Sequence, residues 1–148
     1  MEPPVRHILE HLGDVELENQ QGRRRLFHGK GRIGEHLASG EGAVFGPVLN
    51  GIVNWDLLQE AGEHHCGFNI LGEIKTDDRA RILFDALGYM TRGDGEDIAR
   101  WSLTGSVVFN TENRQYQWMN KIVGVWQGLY DMGSFRHSYR IFTQRAMG

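Results

Sequence analysis

The feature that most constrains this chain is a serial run of strand-length apolar segments cut apart by turn signals, with a single short helix candidate. Residues 66–75 alternate: Phe68, Ile70, Gly72 and Ile74 stand against Asn69, Glu73 and Lys75, the period of two of a half-buried strand. Thr76-Asp77-Asp78 reads as a turn and residues 80–91 as a second long strand, so the pair predicts a hairpin. Residues 135–143 alternate likewise, with Phe135, His137, Tyr139 and Ile141 against Arg136, Ser138 and Arg140. Further strands are expected over 8–17 (broken at Gly13-Asp14), 23–28, 43–53, 103–109 and 116–129. Pro47 confines the third of these to an edge, a bulge or a strand start. Gly29, Gly31, Gly34, Gly40 and Gly42 predict an irregular or bulged stretch. The helix candidate is 55–61, closed by Gly62.

A helix this short cannot supply βαβ crossovers, so the strands are expected to run antiparallel. Several runs approach ten residues, which suits an up-and-down barrel joined by hairpins. The fold class expected is therefore all-β, one antiparallel β-barrel with one short helix, in a single domain over 1–148. About eight strands enclose room for one small ligand. Glycine supports a turn-rich chain, with 20 residues scattered without a period.

The formal net charge of −3 leaves no basic field for a phosphate backbone, which disfavours nucleic-acid binding. The Arg23-Arg24-Arg25 run reads as a solvated strand start. One cysteine rules out an internal disulfide scaffold. No apolar run approaches the ~20 residues of a membrane helix and no leader is visible, so a cytoplasmic chain without membrane partners is expected. His64 and Cys66 share a strand face but find no second ligand pair, so no structural metal is expected. Gly29-Lys30-Gly31 lacks the spacing of a phosphate loop, and nothing supplies a redox centre, so no cofactor is expected.

Two segments carry the candidate chemistry. In Asn54-Trp55-Asp56, the amide can orient a ligand carbonyl, the indole offers a wall and the carboxylate can move a proton; alternatively Asn54 or Asp56 caps the short helix and Trp55 is core. In 116–128, read as one strand, Trp118, Asn120, Gly124, Trp126 and Gly128 fall on one face, and Trp alternating with Gly suits a barrel interior. Asn120 there is either a ligand contact or a structural amide, and Tyr116 adds a phenol. His65 has an unperturbed pKa near neutrality and is a further proton-transfer candidate. Cys66 reads as an inert small hydrophobe.

Five short motifs in order, residues 29–34, 45–51, Asn54-Trp55, Lys75-Thr76-Asp77-Asp78 and Tyr116-Gln117-Trp118-Met119-Asn120, give a chain that resembles the domain-of-unknown-function 3237 family. The resemblance spans about residues 9–142 and implies a calycin-like antiparallel barrel. The family usually carries Asp where this chain has Asn54, which removes a carboxylate from that motif, and Gly where it has Arg79, which alters the hairpin turn.

Together these readings point to a cofactor-independent enzyme of isomerase, cyclase or lyase type. It would act on a small hydrophobic or aromatic, oxygenated metabolite bound inside the barrel. Asp56, His65 and Tyr116 would be catalytic, and Asn54, Trp55, Trp118, Asn120 and Trp126 would bind substrate. The alternative is a barrel that binds the ligand without chemistry. Apolar residues on both faces of 82–89 add the expectation of a homodimer.

Overall fold

The structure, a computed structural model, describes residues 6–19, 33–60 and 65–147. Eight strands, β1 (Arg6–Asn19), β2 (Glu35–Phe45), β3 (Gly51–Gln59), β4 (His65–Thr76), β5 (Arg81–Arg92), β6 (Arg100–Asn110), β7 (Val123–Asp131) and β8 (Arg136–Met147), pair antiparallel in sequence order. β8 closes on β1, so the sheet is a complete up-and-down barrel with no free edge. The last residues of β1, β3, β5 and β7 and the first residues of β2, β4, β6 and β8 lie at one end, called here the upper end, and the opposite strand ends lie at the lower end.

Alternation decides which side chains fill the barrel. On β5, Ile82, Phe84, Ala86 and Met90 point inward and are buried, while Arg81 and Tyr89 are exposed on the outer wall. The inward rows of the other strands join them: Val53, Trp55 and Leu57, then Phe68, Ile70 and Ile74, then Trp101, Leu103, Val107 and Phe109. Glycines set opposite large apolar side chains, Gly72 opposite Phe84 and Gly42 opposite Leu17, make this packing possible. A Cβ at Gly72 would fall 2.3 Å from the Phe84 ring, and one at Gly42 would fall 2.2 Å from the Glu16 carbonyl oxygen.

The hairpin expected around Thr76-Asp77-Asp78 is β4–β5, with Lys75 opposite Arg81. Its turn places Arg79 at φ 71°, a left-handed conformation that glycine adopts without a Cβ penalty. Of the glycine-rich stretch, Gly40 and Gly42 lie in β2, which carries a register shift between His36 and Ala38, while Gly29 and Gly31 lie outside the described residues. The apolar run 43–53 breaks at Gly46, because the Asn50 amide accepts from Gly46 N and donates to Gly46 O, closing the turn around Pro47. The strand expected at 23–28 lies outside the described residues.

Two expectations are corrected. Residues 55–59 are strand, not helix: β3 pairs along its whole length with both β2 and β4. Asp56 and Leu58 on its outer face are buried as well as Trp55 and Leu57 on its inner face, which hides the period of two. Among the described residues the helical segments are instead 3₁₀, at Gly95–Asp97 and Arg114–Lys121. Residues 116–121 are therefore not strand. Asn113 Oδ1 accepts from Gln115 N to start the turn, and Tyr116 and Met119 bury at the spacing of three expected of a 3₁₀ face.

Candidate functional site

The inward row of β8 is His137, Tyr139, Ile141 and Thr143, and that of β7 is Gly124, Trp126, Gly128 and Tyr130. Register sets Leu17 and Tyr130 on either side of His137, and Val15 and Gly128 on either side of Tyr139. Asn19 ends β1 at the upper rim. It faces Gly40, which in turn faces Trp55. The chain thus brings two phenols, an imidazole and an amide together inside an apolar barrel, near its upper end.

They form one hydrogen-bonded line. Tyr139 Oη lies 2.6 Å from His137 Nδ1, and His137 Nε2 lies 2.9 Å from Asn19 Oδ1. Asn19 Nδ2 donates to Tyr130 Oη at 2.8 Å. Burial fixes the direction. The amide oxygen of Asn19 only accepts, so Nε2 carries the imidazole hydrogen and Nδ1 accepts from Tyr139. The reverse order would leave the Tyr139 hydrogen unbonded in a dry core, at a cost of about 1–3 kcal/mol. In the order adopted, two hydrogens are left over at the rim end of the line, the second one of Asn19 Nδ2 and that of the Tyr130 hydroxyl, and no described residue accepts either.

Ring packing holds the line in place. His137 stacks on Tyr130 at 4.0 Å and 9° and meets Trp55 edge-on at 4.7 Å. Tyr139 packs on Trp126 at 4.8 Å, and Trp126 stacks on Phe84 at 5.5 Å. The Trp126 Nε1 hydrogen is buried and finds no acceptor among the described residues. Burial pushes the His137 pKa down to about 3, so the ring is neutral across the physiological range. Burial also raises the phenol pKa of Tyr139, and it raises that of Tyr130, where the Asn19 hydrogen bond partly offsets it. All three groups are uncharged donors and acceptors at neutrality.

The residues singled out in the sequence do not meet at one pocket. Trp55 and Trp126 are inside the barrel and belong to this cluster. Asn54 faces the outer wall, paired with Glu41 and Glu73. Asp56 also points outward; it is fully buried and lies 3.1 Å from His36 Nε2. Tyr116, Trp118 and Asn120 lie on the 3₁₀ helix at the opposite, lower end. Tyr116 donates to Asp78 Oδ2 at 2.9 Å, tying that helix to the β4–β5 turn. The Thr76 hydroxyl also donates to Asp78, and these two bonds hold its carboxyl below its ordinary pKa. Trp118 packs against the core rim. His65 opens β4, but its side chain lies outside the described residues, as does His64. Cys66 is buried and accepts from Gln59 Nε2.

Asn120 resolves as a structural amide. Its Oδ1 accepts from Thr111 N at 2.8 Å and its Nδ2 donates to Thr111 O at 2.9 Å, pinning the 3₁₀ helix to the end of β6. Asn120→Ala is expected to cost about 1–2 kcal/mol of stability while leaving events at the upper end unchanged; thermal melts measure it.

The signal for the missed residues was in the alternation. His137 and Tyr139 share the apolar face opposite Arg136, Ser138 and Arg140, and extending the Trp126–Gly128 face by two residues reaches Tyr130. Recesses lined by described residues lie on the outer wall. One of about 600 Å³ runs over Glu16, Glu18, Glu41, Ala43, Ile52 and Arg136. Among the described residues, no group of three His, Cys, Asp or Glu side chains could hold a metal ion, and no helix is long and apolar enough to cross a membrane.

Neither a scan against protein-family models nor a search of curated proteins finds a match. Solved structures do match in fold. A β-barrel-like protein from Acinetobacter baumannii is 19% identical with a TM-score of 0.74, over 97% of this chain and 99% of that one. A protein of unknown function from Clostridium acetobutylicum is 14% identical with a TM-score of 0.69, over 95% and 100%. An enzyme from Penicillium herquei is 18% identical with a TM-score of 0.62, over 98% and 99%. These likenesses establish that the chain shares the closed β-barrel fold, and that the fold is one on which an enzyme is also built.

Proposed function

We propose that this barrel binds a small hydrophobic or aromatic, oxygen-bearing metabolite at its upper end, with a ligand carbonyl accepting from the Tyr130 hydroxyl. There it promotes an isomerisation, cyclisation or elimination that passes through an enolate-like oxygen. The observation that carries this reading is the one-way line Tyr139–His137–Asn19–Tyr130, which ends at the rim in a Tyr130 hydroxyl whose hydrogen no described residue accepts. Each donor in such a line is polarised by the one behind it, so the last phenol is a stronger donor than an isolated tyrosine. Neutral His137 takes no proton from the ligand. Its part is to hold Asn19, and through it Tyr130, in one orientation. When an α-proton leaves to solvent base, the electron pair moves onto the carbonyl oxygen, where the Tyr130 hydrogen bond stabilises it. The enzyme of similar fold supports chemistry on this scaffold.

A second reading, binding without catalysis, is favoured by a specific observation: His137, Tyr130 and Tyr139 all keep one charge state near neutrality, so none is poised as a general base. One experiment addresses both. 2-Acetylnaphthalene, a flat ketone, is titrated against tryptophan emission and then incubated with the protein in D₂O, with loss of its methyl proton signal followed by NMR. Saturable binding weakened about tenfold in Tyr130→Phe, with methyl exchange accelerated only by the wild type, is the expected result. Binding without accelerated exchange selects the non-catalytic reading. No binding, or equal affinity in Tyr130→Phe, removes the upper-end site.

A further inference from the structure

A second feature of the upper end is independent of any ligand. Trp101 opens β6 on the inward face, opposite Tyr130 on one side and Arg92 on the other, and is 6% exposed. Its Nε1 hydrogen is donated to the thioether sulfur of Met132, at 3.1 Å. The Arg92 guanidinium sits 5.9 Å over the indole and is itself anchored to the Ile98 carbonyl. Met132 belongs to the β7–β8 turn, and its backbone N donates to Ala99 O at 2.8 Å. The indole is therefore held from two sides, and among the described residues a sulfur is its one hydrogen-bond acceptor. That sulfur belongs to a side chain 43% exposed, whereas Met90 and Met119 are buried at 1% and 0%.

We infer that Met132 is an oxidation-sensitive latch: peroxide-class oxidants convert its thioether to the sulfoxide, and this shifts the Trp101 indole at the upper end of the barrel. The chemistry balances. A sulfur lone pair attacks a peroxide oxygen, the S–O bond forms as the O–O bond breaks, and the peroxide leaves as water. Sulfur loses two electrons and the peroxide gains them. A thioether has two lone pairs, so the one facing the indole does not shield the other from an oxidant in solvent. The product oxygen is a far stronger acceptor than the sulfur it sits on. It stands one bond length further out, so the N–H can follow it only if the indole or the turn moves. Arg92 and the Met132–Ala99 bond resist that movement, which makes the change local to Trp101.

The test uses the whole chain treated with hydrogen peroxide, with peptide mass spectrometry and tryptophan emission read in parallel. Met132 is expected to gain one oxygen at least about tenfold faster than Met90 or Met119, and emission is expected to shift over the same time course. Methionine sulfoxide reductase should reverse both. The shift should vanish in Met132→Leu and in Trp101→Phe, which assigns it to this pair even if Trp101→Phe is less stable. Comparable oxidation of Met90 or Met119 overturns the site. Selective oxidation of Met132 with unchanged emission overturns the latch.

Discussion

Acidification from about pH 7 to about pH 4 is expected to lower the stability of the wild-type protein by roughly 3 kcal/mol more than that of a His137→Gln variant. The imidazole has a pKa of about 3 in the fold, against an ordinary value of 6.5. Above pH 6.5 neither state holds the extra proton and the fold bears no penalty. As pH falls below it, the unfolded chain takes up a proton that the buried ring refuses, so stability declines by about 1.4 kcal/mol per pH unit until the folded value is reached. Gln keeps one donor and one acceptor for Asn19 and Tyr139 but cannot titrate. The variant is expected to be the less stable protein at neutral pH and to close the gap on acidification. Carboxylates titrate in both proteins and cancel in the difference. Urea unfolding of the pair at several pH values checks this, and parallel pH curves would mean that His137 is not held neutral.

A comparable loss is expected from one added methyl. Gly128 lies opposite Tyr139 where β7 and β8 come close, and a Cβ there would stand 1.9 Å from the Ser138 carbonyl oxygen and 2.7 Å from Tyr139 Cα. Both obstacles are backbone, so the strands must part at the base of the hydrogen-bonded line. Gly128→Ala is expected to cost about 3 kcal/mol, the upper end of the usual overpacking range. Gly133→Ala in the β7–β8 turn is the control, since its nearest new neighbour is the Asp131 carboxylate at 3.2 Å, the end of a side chain that can yield. Denaturant midpoints of the two variants test the contrast. Equal midpoints would show that β7 and β8 do not approach closely at this register.

Where one face of a strand is wet, the barrel could be read from the sequence. The alternation of β4, β5 and β8 survives because Lys75, Arg81, Tyr89 and Arg140 are exposed. It failed at β3, where Asp56 and Leu58 are buried on the outer face and the local Trp-Asp-Leu-Leu-Gln sequence favours helix. Pairing on both sides overrides that preference. It failed again at 116–121, where apolar residues at a spacing of three turn as 3₁₀ and carry Trp118 and Asn120 away from Trp126.

The cluster was half legible. Trp55 and Trp126 stood out by size, and the face bearing His137 and Tyr139 was visible in the alternation of 135–143. What the sequence could not supply is the register that sets Leu17 and Tyr130 beside His137 and brings Asn19 within reach of both. That pairing spans more than a hundred residues, between Asn19 and His137. No local pattern encodes it, because it follows from barrel closure.

The central claim, that the line of hydrogen bonds ends in a polarised Tyr130 donor aimed at a ligand carbonyl, has a direct spectroscopic test. 2-Acetylnaphthalene labelled with ¹³C at its carbonyl is bound to wild-type protein and to Tyr130→Phe, and the carbonyl stretch is isolated by isotope-edited infrared difference spectroscopy. A stronger hydrogen bond to oxygen weakens the C=O bond and lowers its frequency. The account predicts a wild-type band below that of the ketone in water, moving above the water value in Tyr130→Phe and part of the way there in His137→Gln. A band at the water frequency in the wild type, or the same frequency in all three proteins, would contradict it.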